Sequence, residues 1–144
     1  MREIVVVSGG FDPIHSGHIK LIKEAAKHGE VVVLLNSDLW LQKKKGKEFL
    51  PFIERTIIMN ELKNVVDVIE FDDSDKTCID GLKKVKNKYP KSIIKFANGG
   101  DRNNNTTPES IFCEKNNIQL LWGIGGDNKS NSSSWILQKW KEDN

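Results

Sequence analysis

Short apolar runs alternate with amphipathic segments along the whole chain. The runs are rich in β-branched residues and bounded by polar or glycine turns, which predicts buried parallel strands. They lie at 4–7, 31–35, 65–71, 92–97 and 118–122. Apolar residues at helical spacing predict helices at 17–27, 51–64, 78–89, 108–115 and 135–140. This alternation predicts a single α/β domain over residues 1–144, with five parallel strands in the order 3-2-1-4-5 and helices on both faces.

Composition narrows the function classes. Lys and Arg number 22 against 20 Asp and Glu, a balance that gives no reason to expect a nucleic-acid partner. The N-terminus lacks a signal-peptide pattern, and no apolar run approaches the length of a membrane span. We therefore expect a cytoplasmic protein with no membrane partner. Cys78 and Cys113 are isolated in sequence, so we expect two buried or inert thiols rather than a metal site or a disulfide.

The first predicted strand runs into a turn that contains two histidines. Gly9 and Gly10 would let an anion approach main-chain N–H groups. The helix that begins near Gly17 would add the partial positive charge of its N-terminus. His15 and His18 could donate hydrogen bonds to phosphate oxygens and, if protonated, neutralise charge during phosphoryl transfer. The alternative is that one histidine caps the helix and the other is an ordinary surface residue.

A cluster of lysines follows the second predicted strand. Lys43, Lys44, Lys45 and Lys47 surround a glycine within the polar segment 39–48. We expect a mobile loop whose ammonium groups reach a phosphate, because ligands bind beyond the carboxyl ends of strands in open α/β sheets. A solvated charge run is the alternative. The acidic turn at 72–75, after the third strand, is expected to cap the helix that follows it.

Two further polar turns follow later strands. Asn98-Gly99-Gly100-Asp101-Arg102 comes directly after the fourth strand and should lie near the first glycine turn, although the same residues also suit an ordinary turn. Ser132-Ser133-Ser134 precedes the last helix. Hydroxyls and N–H groups at a helix start can hold phosphate, whereas a flexible linker is the alternative.

These motifs resemble a known family. The segment from Gly9 to His18 is similar to the signature of the cytidylyltransferase-like superfamily of nucleotidylyltransferases. Its members have a Rossmann-like α/β fold and join an NMP to a phosphorylated acceptor, releasing pyrophosphate. The turn at 98–102 resembles their Gly-Gly-Asp segment, and the serine run resembles a second signature that contacts the triphosphate. Arg55 matches an arginine that contacts phosphate or fixes the lysine loop, with an i,i+4 surface ion pair as the alternative.

The resemblance implies a role for each of these residues. The catalytic residues would be His15, His18, Lys44, Lys45 and Arg55. The nucleotide, ATP or CTP, would be bound by the histidines together with Gly9, Gly10, Phe11, Asp12, Gly17, Asn98, Gly100, Asp101, Ser132, Ser133 and Ser134. The phosphorylated acceptor would contact Lys47, Arg102 and Asn103. Mg²⁺ would be the cofactor, ligated mostly by phosphate oxygens and water without a dedicated protein site. The resemblance also implies a homodimer.

Departures from the family pattern indicate the substrate. Cytidylyltransferases for glycerol phosphate and choline phosphate carry Arg-Thr-x-Gly where this chain has Asp127-Asn128-Lys129-Ser130. The heptose-phosphate adenylyltransferases lack that arginine too and share the lysine-glycine segment. We therefore expect AMP transfer from ATP to a sugar 1-phosphate. CMP transfer from CTP to glycerol phosphate or a similar alcohol phosphate is the alternative, and a non-catalytic nucleotide-binding protein is the third.

Overall fold

The fold is a five-stranded parallel sheet between two layers of helices. The computed structural model describes residues 1–98, 107–125 and 133–143. The strands are β1 (Glu3–Gly9), β2 (Glu30–Leu35), β3 (Val65–Glu70), β4 (Ile93–Asn98) and β5 (Gln119–Trp122). The helices are α1 (Ser16–Ala25), α2 (Asp38–Lys45), α3 (Phe52–Asn60), α4 (Ile79–Lys88), α5 (Pro108–Lys115) and α6 (Ser133–Asp143). The strand order β3-β2-β1-β4-β5 confirms the predicted fold class.

The central strands are buried on both faces. Ile4 and Val6 of β1 belong to a core that includes residues of α4 and α5, whereas Val5 and Val7 belong to a second core with residues of α1 and α3. All four side chains are at most 1% exposed. A strand covered on both sides has no polar face, which is why it appears in the sequence as an unbroken apolar run.

The carboxyl ends of the strands meet at one edge of the sheet. Gly9 at the end of β1 pairs with Leu35 at the end of β2, and the N–H of Asn36 donates to the carbonyl of Gly9 at 3.0 Å. On the other side, β1 pairs with β4. The chain order along the sheet therefore reverses at β1, and ligands of such sheets bind at this switch point.

The lysine-rich segment is a helix for most of its length, so the prediction of a mobile loop at 39–48 was wrong. Ser37 caps α2, its Oγ accepting from the N–H of Trp40 at 3.1 Å, and Gly46 ends the helix with φ of 91°. Leu41 is the buried residue of α2. One buried position gives no apolar periodicity. The sequence therefore indicated this helix through its N-cap residue, Ser37, and not through an apolar pattern.

Two further predictions concern the cysteine thiols and helices that could span a membrane. Cys78 and Cys113 are free and buried, as predicted. None of the helices in the described part of the chain is both long and apolar enough to cross a bilayer.

Candidate functional site

His15 and His18 form a reciprocal cap at the start of α1. Nδ1 of His15 accepts from the N–H of Gly17 at 3.0 Å, and Nδ1 of His18 accepts from the N–H of His15 at 3.2 Å. The two rings stack with centroids 3.8 Å apart. Because each Nδ1 is an acceptor, the proton of each neutral ring resides on Nε2. Capping and ligand binding are therefore compatible, since each ring retains an Nε2–H donor.

The environment of the pair favours the neutral rings. Burial, with smaller contributions from His15 and Lys44, lowers the pKa of His18 to about 4. Burial also lowers the pKa of His15. Near pH 7 the imidazoles are hydrogen-bond donors without charge. A phosphate group beside them would raise both pKa values, because a neighbouring anion stabilises the protonated ring.

The turn before the histidines supports them by close packing. A Cβ on Gly10 would lie 2.7 Å from Cδ2 of Leu41, and one on Gly9 would lie 3.3 Å from the ring of Phe11. Phe11 is buried, and its ring centroid lies 4.8 Å from that of His18. Glycine at these positions thus allows α2 and Phe11 to pack against the turn that carries the histidine pair.

Asp12 joins this turn to the segment that follows α2. Its buried carboxylate accepts from the N–H of Phe49 at 2.6 Å and from that of Leu50 at 2.7 Å. Nζ of Lys45 lies 3.2 Å from Oδ2 of Asp12 and also donates to its main-chain carbonyl. Both residues therefore have structural partners within the protein. Their predicted contacts with a ligand stay predictions.

Arg55 is the buried centre of the same corner. Its guanidinium donates to the carbonyls of Leu50 at 2.9 Å, Gly10 at 3.0 Å and Asn36 at 2.7 Å. Nη2 also pairs with Oδ1 of Asp38 at 2.6 Å. Arg55 is 1% exposed, which excludes the surface ion pair. These bonds connect the ends of β1 and β2 to both ends of the lysine segment, so Arg55 holds that segment in place. Its predicted catalytic role stays a prediction.

The lysines of this segment differ in their surroundings. Nζ of Lys44 lies 4.9 Å from the ring centroid of Trp40, and its charge lowers the pKa of His18. Lys47 is exposed and lines a surface cavity with residues of α6. Within this lysine segment, Lys45 is paired with Asp12, whereas the charge of Lys44 reaches His18.

A cavity of about 240 Å³ lies at the carboxyl ends of β1 and β4. Ser8, Asn98 and Glu109 are among its lining residues. Nδ2 of Asn98 is buried and has no hydrogen-bond partner among the described residues, and burial raises the pKa of Glu109. An unpaired buried donor costs about 1–3 kcal/mol, so a ligand that accepts from Asn98 would remove that cost.

A larger cleft of about 620 Å³ lies between α2 and the turn after β3. Its lining residues are Ser37, Leu39, Trp40, Lys43, Lys44, Phe71, Asp72, Asp73, Ser74 and Lys76. Trp40 and Lys76 also line the smaller cavity. The two spaces therefore adjoin.

The acidic turn supports this cleft instead of capping α4. The carboxylate of Asp73 accepts from Nδ2 of Asn36 at 3.1 Å, and from the N–H and Oγ of Ser37 at 2.8 and 2.7 Å. The N-cap of α4 is Cys78, which makes no side-chain capping bond. The predicted role of the turn as a helix cap was therefore wrong. Local sequence gave no sign of Asp73's role, because its partners precede it by 36 and 37 residues.

Some predicted site residues fall outside the described part of the chain. These are Gly100, Asp101, Arg102, Asn103 and Ser132. Ser133 and Ser134 are the first two residues of α6, in agreement with the predicted helix start. Their contacts with phosphate stay predictions.

Comparison with known proteins agrees with this geometry. A family model described as cytidylyltransferase-like matches residues 6–141. The bifunctional protein HldE of Geobacter metallireducens is 28% identical over 99% of this chain, and that of Shigella sonnei is 30% identical over 88%. This chain spans 28% and 24% of those proteins, about a quarter of their length.

A solved structure shows the same fold. The lipopolysaccharide core biosynthesis protein of Thermoplasma volcanium superposes with a TM-score of 0.66 at 23% identity, over 89% of this chain and the whole of that one. The strand topology, the histidine turn and the match to the family over nearly the whole chain point to the same conclusion. The chain belongs to the cytidylyltransferase-like family, which confirms the resemblance.

Proposed function

We propose that the protein transfers AMP from ATP to a sugar 1-phosphate and releases pyrophosphate. The observation that carries this proposal is the pair of imidazoles at the switch point of the sheet, each held through Nδ1 so that Nε2–H is left for a ligand. The motifs of the chain resemble those of the heptose-phosphate adenylyltransferases, and its matched relatives include bifunctional HldE proteins. That relationship supports ATP as the donor and a sugar phosphate as the acceptor.

The reaction needs no covalent intermediate. An acceptor phosphate oxygen forms a bond to the α-phosphorus of ATP, while the bond from that phosphorus to the bridging oxygen breaks. The electron pair leaves with pyrophosphate. The protein then contributes by holding the two phosphates in line and by stabilising the charge that develops between them.

The described residues suit these two tasks. The Nε2–H groups of His15 and His18 would donate to the α-phosphate and the bridging oxygen. Lys44 would add positive charge beside them, and Asn98 would donate to the bound nucleotide from the adjoining cavity. The start of α6 would hold the outer phosphates through its N–H groups.

Mg²⁺ would accompany the triphosphate. No group of three or more potential ligands for a metal occurs among the described residues, and the carboxylate of Asp12 is occupied by backbone donors and Lys45. Such a site suits an ion held by phosphate oxygens and water, where it would neutralise phosphate charge.

The proposal is tested by measuring pyrophosphate release with each of the four NTPs against sugar 1-phosphates and glycerol 3-phosphate. We expect release with ATP and a sugar 1-phosphate. His15→Ala protein provides the blank, and His28→Ala is the matched control because His28 is exposed at the end of α1. Release only with CTP and glycerol 3-phosphate would establish the cytidylyltransferase alternative. Binding of ATP without release for any acceptor would contradict the proposal in favour of a nucleotide-binding protein.

A further inference from the structure

The 620 Å³ cleft between α2 and the turn after β3 has the dimensions of a small-molecule site. Three lysines line it: Lys43 and Lys44 on α2, and Lys76 on the turn. The ring of Trp40 and the side chain of Phe71 provide apolar surface. The cleft thus combines several cations with an aromatic wall, a composition that suits an anion attached to a compact organic body.

The carboxylates in the cleft do not neutralise these lysines. Asp73 is occupied by its three donors from Asn36 and Ser37. Asp72 accepts from the N–H of Ser74 at 2.9 Å. Across the described ranges, the three lysines of the cleft form no ion pair with either aspartate. Their ammonium groups can therefore serve a bound anion.

Lys76 occupies the junction between the cleft and the cavity at Ser8 and Asn98. Its backbone is in the left-handed region with φ of 69°, and its N–H donates to the carbonyl of Asp73 at 2.9 Å. The bonds from Asp73 to Ser37 hold this turn against the start of α2. The backbone at Lys76 is thereby held on the wall of the cleft that faces α2. Lys44, whose charge lowers the pKa of His18, lies on α2.

We propose that this cleft binds the acceptor and that Lys76 is a specificity-determining residue for it. Lys76 donates to the acceptor phosphate from the side opposite Lys44, and the polyhydroxy body of the acceptor packs against Trp40. The substrate class is a phosphorylated sugar or a polyol of similar size. This inference rests on the proposed nucleotidyl transfer and names the residue that selects the acceptor.

Three variants isolate the charge of Lys76. Lys76→Asn removes it, and asparagine tolerates the left-handed backbone at this position. Lys76→Arg keeps the charge. Lys63→Asn makes the same change at an exposed lysine beside the start of β3, at the opposite end of the sheet. Thermal unfolding of all three variants is measured first, and we expect the wild-type midpoint for each.

The main readout is calorimetric titration with the sugar 1-phosphates and glycerol 3-phosphate, with ATP titrated separately. For Lys76→Asn we expect the dissociation constant of the acceptor to rise about 10- to 100-fold, the loss of one charge-assisted hydrogen bond. The dissociation constant of ATP should not change. Lys76→Arg should restore most of the acceptor affinity. In turnover, the KM of the acceptor should rise while kcat changes little.

The outcomes separate this inference from the proposed function. Unchanged acceptor binding in Lys76→Asn would overturn the inference, even if pyrophosphate release upheld nucleotidyl transfer. An equal loss of ATP binding would also overturn it, because Lys76 would then serve the triphosphate. If the wild type binds sugar phosphates but releases no pyrophosphate, the proposed function fails and the binding comparison still decides the role of Lys76. A wild type that binds none of the phosphates overturns both.

Discussion

Each histidine of the pair uses one ring nitrogen to bond the protein's own backbone. The bonds from Gly17 to His15 and from His15 to His18 fix the ring orientations before any substrate binds. Donors held in place in this way need little reorganisation when charge develops on a phosphate, and that preorganisation is a major source of catalysis. Helix capping is thus part of how the site is built.

Substitution of the pair should reduce the rate more than the stability. His18→Ala and His15→Ala should each lower kcat about 10²-fold or more, because each removes a donor to the transition state. Loss of a helix cap costs about 0.5–2 kcal/mol, so folding should survive. Pyrophosphate release and thermal unfolding are measured in parallel. A similar loss of kcat in His28→Ala would contradict this assignment.

Burial of His18 should make the stability depend on pH. The folded-state pKa of about 4 lies below the unfolded value of about 6.5, so the unfolded chain binds more protons between these limits. The free energy of unfolding should therefore fall as the pH drops from about 6.5 towards 4. Urea titrations across this window measure the slope. His18→Asn should flatten it and His28→Ala should not; equal slopes in all three proteins would refute the assignment.

At the residue scale, sequence reasoning brought the two histidines together but missed the long-range contacts that support their corner of the fold. His15 and His18 stand close together in a recognisable turn, so their relation is local. Asp12 was predicted to bind the nucleotide and Asp73 to cap a helix, yet the partners of both lie more than 30 positions away. Contacts over such distances depend on the packing of whole elements, which no local pattern encodes.

At the scale of elements, α2 is stabilised by tertiary contacts although its sequence lacks the apolar periodicity of a helix. Its lysines resemble a solvated charge run, and Leu41 alone is buried. The helix is stabilised at its start, where Oγ of Ser37 accepts from the N–H of Trp40 and donates to the carboxylate of Asp73. It is also tied through Asp38 to Arg55. Strands β1 and β2 needed no such context, because their apolar runs are continuous.

Arg55 should be hard to replace even by lysine. An ammonium group cannot donate in the four directions that the guanidinium serves, so buried carbonyls would lose their donors. We expect Arg55→Lys to lower the free energy of unfolding by about 3 kcal/mol or more. Urea unfolding measures the change. Arg2→Lys, at an exposed pair with Glu30, should have little effect; comparable losses would contradict the role given to Arg55.

Gly81 lies where α4 packs directly against Leu34 of β2. A Cβ there would lie 2.7 Å from Cδ1 of Leu34, which is fully buried, and 3.1 Å from the ring of Phe71. Gly81→Ala, which usually favours a helix, should here lower the free energy of unfolding by about 1–3 kcal/mol. Asn87→Ala on the exposed side of α4 should be neutral or slightly stabilising. Greater stability of Gly81→Ala would show that Leu34 can move aside.

For the whole molecule, the class and strand order followed from the sequence because five short, largely apolar segments alternate with segments of helical apolar spacing. The carboxyl ends of the strands gave the predicted position of the candidate site, where the structure places the histidine pair. The cleft was not foreseen, since its walls come from α2 and the turn after β3. The homodimer that the resemblance implies stays a prediction, which analytical ultracentrifugation would test.

The nucleotide preference should appear as a change in the stability of the whole protein. A ligand that binds only the folded state stabilises it by about 2.7 kcal/mol at a concentration 100 times its dissociation constant. We expect ATP to raise the unfolding temperature more than CTP at equal concentration. Differential scanning fluorimetry with Mg²⁺ present measures both, and His15→Ala should reduce the shift. A larger shift with CTP would favour the cytidylyltransferase alternative.

Trp40 gives the protein its own optical reporter. Its indole lines both the cleft and the adjoining cavity, with the charge of Lys44 4.9 Å from the ring centroid. Indole emission responds to nearby charge, so a phosphate that draws Lys44 away should change the fluorescence. Trp40→Phe supplies the background of the other three tryptophans among the four in the chain. Stopped-flow mixing could then establish whether nucleotide or acceptor binds first.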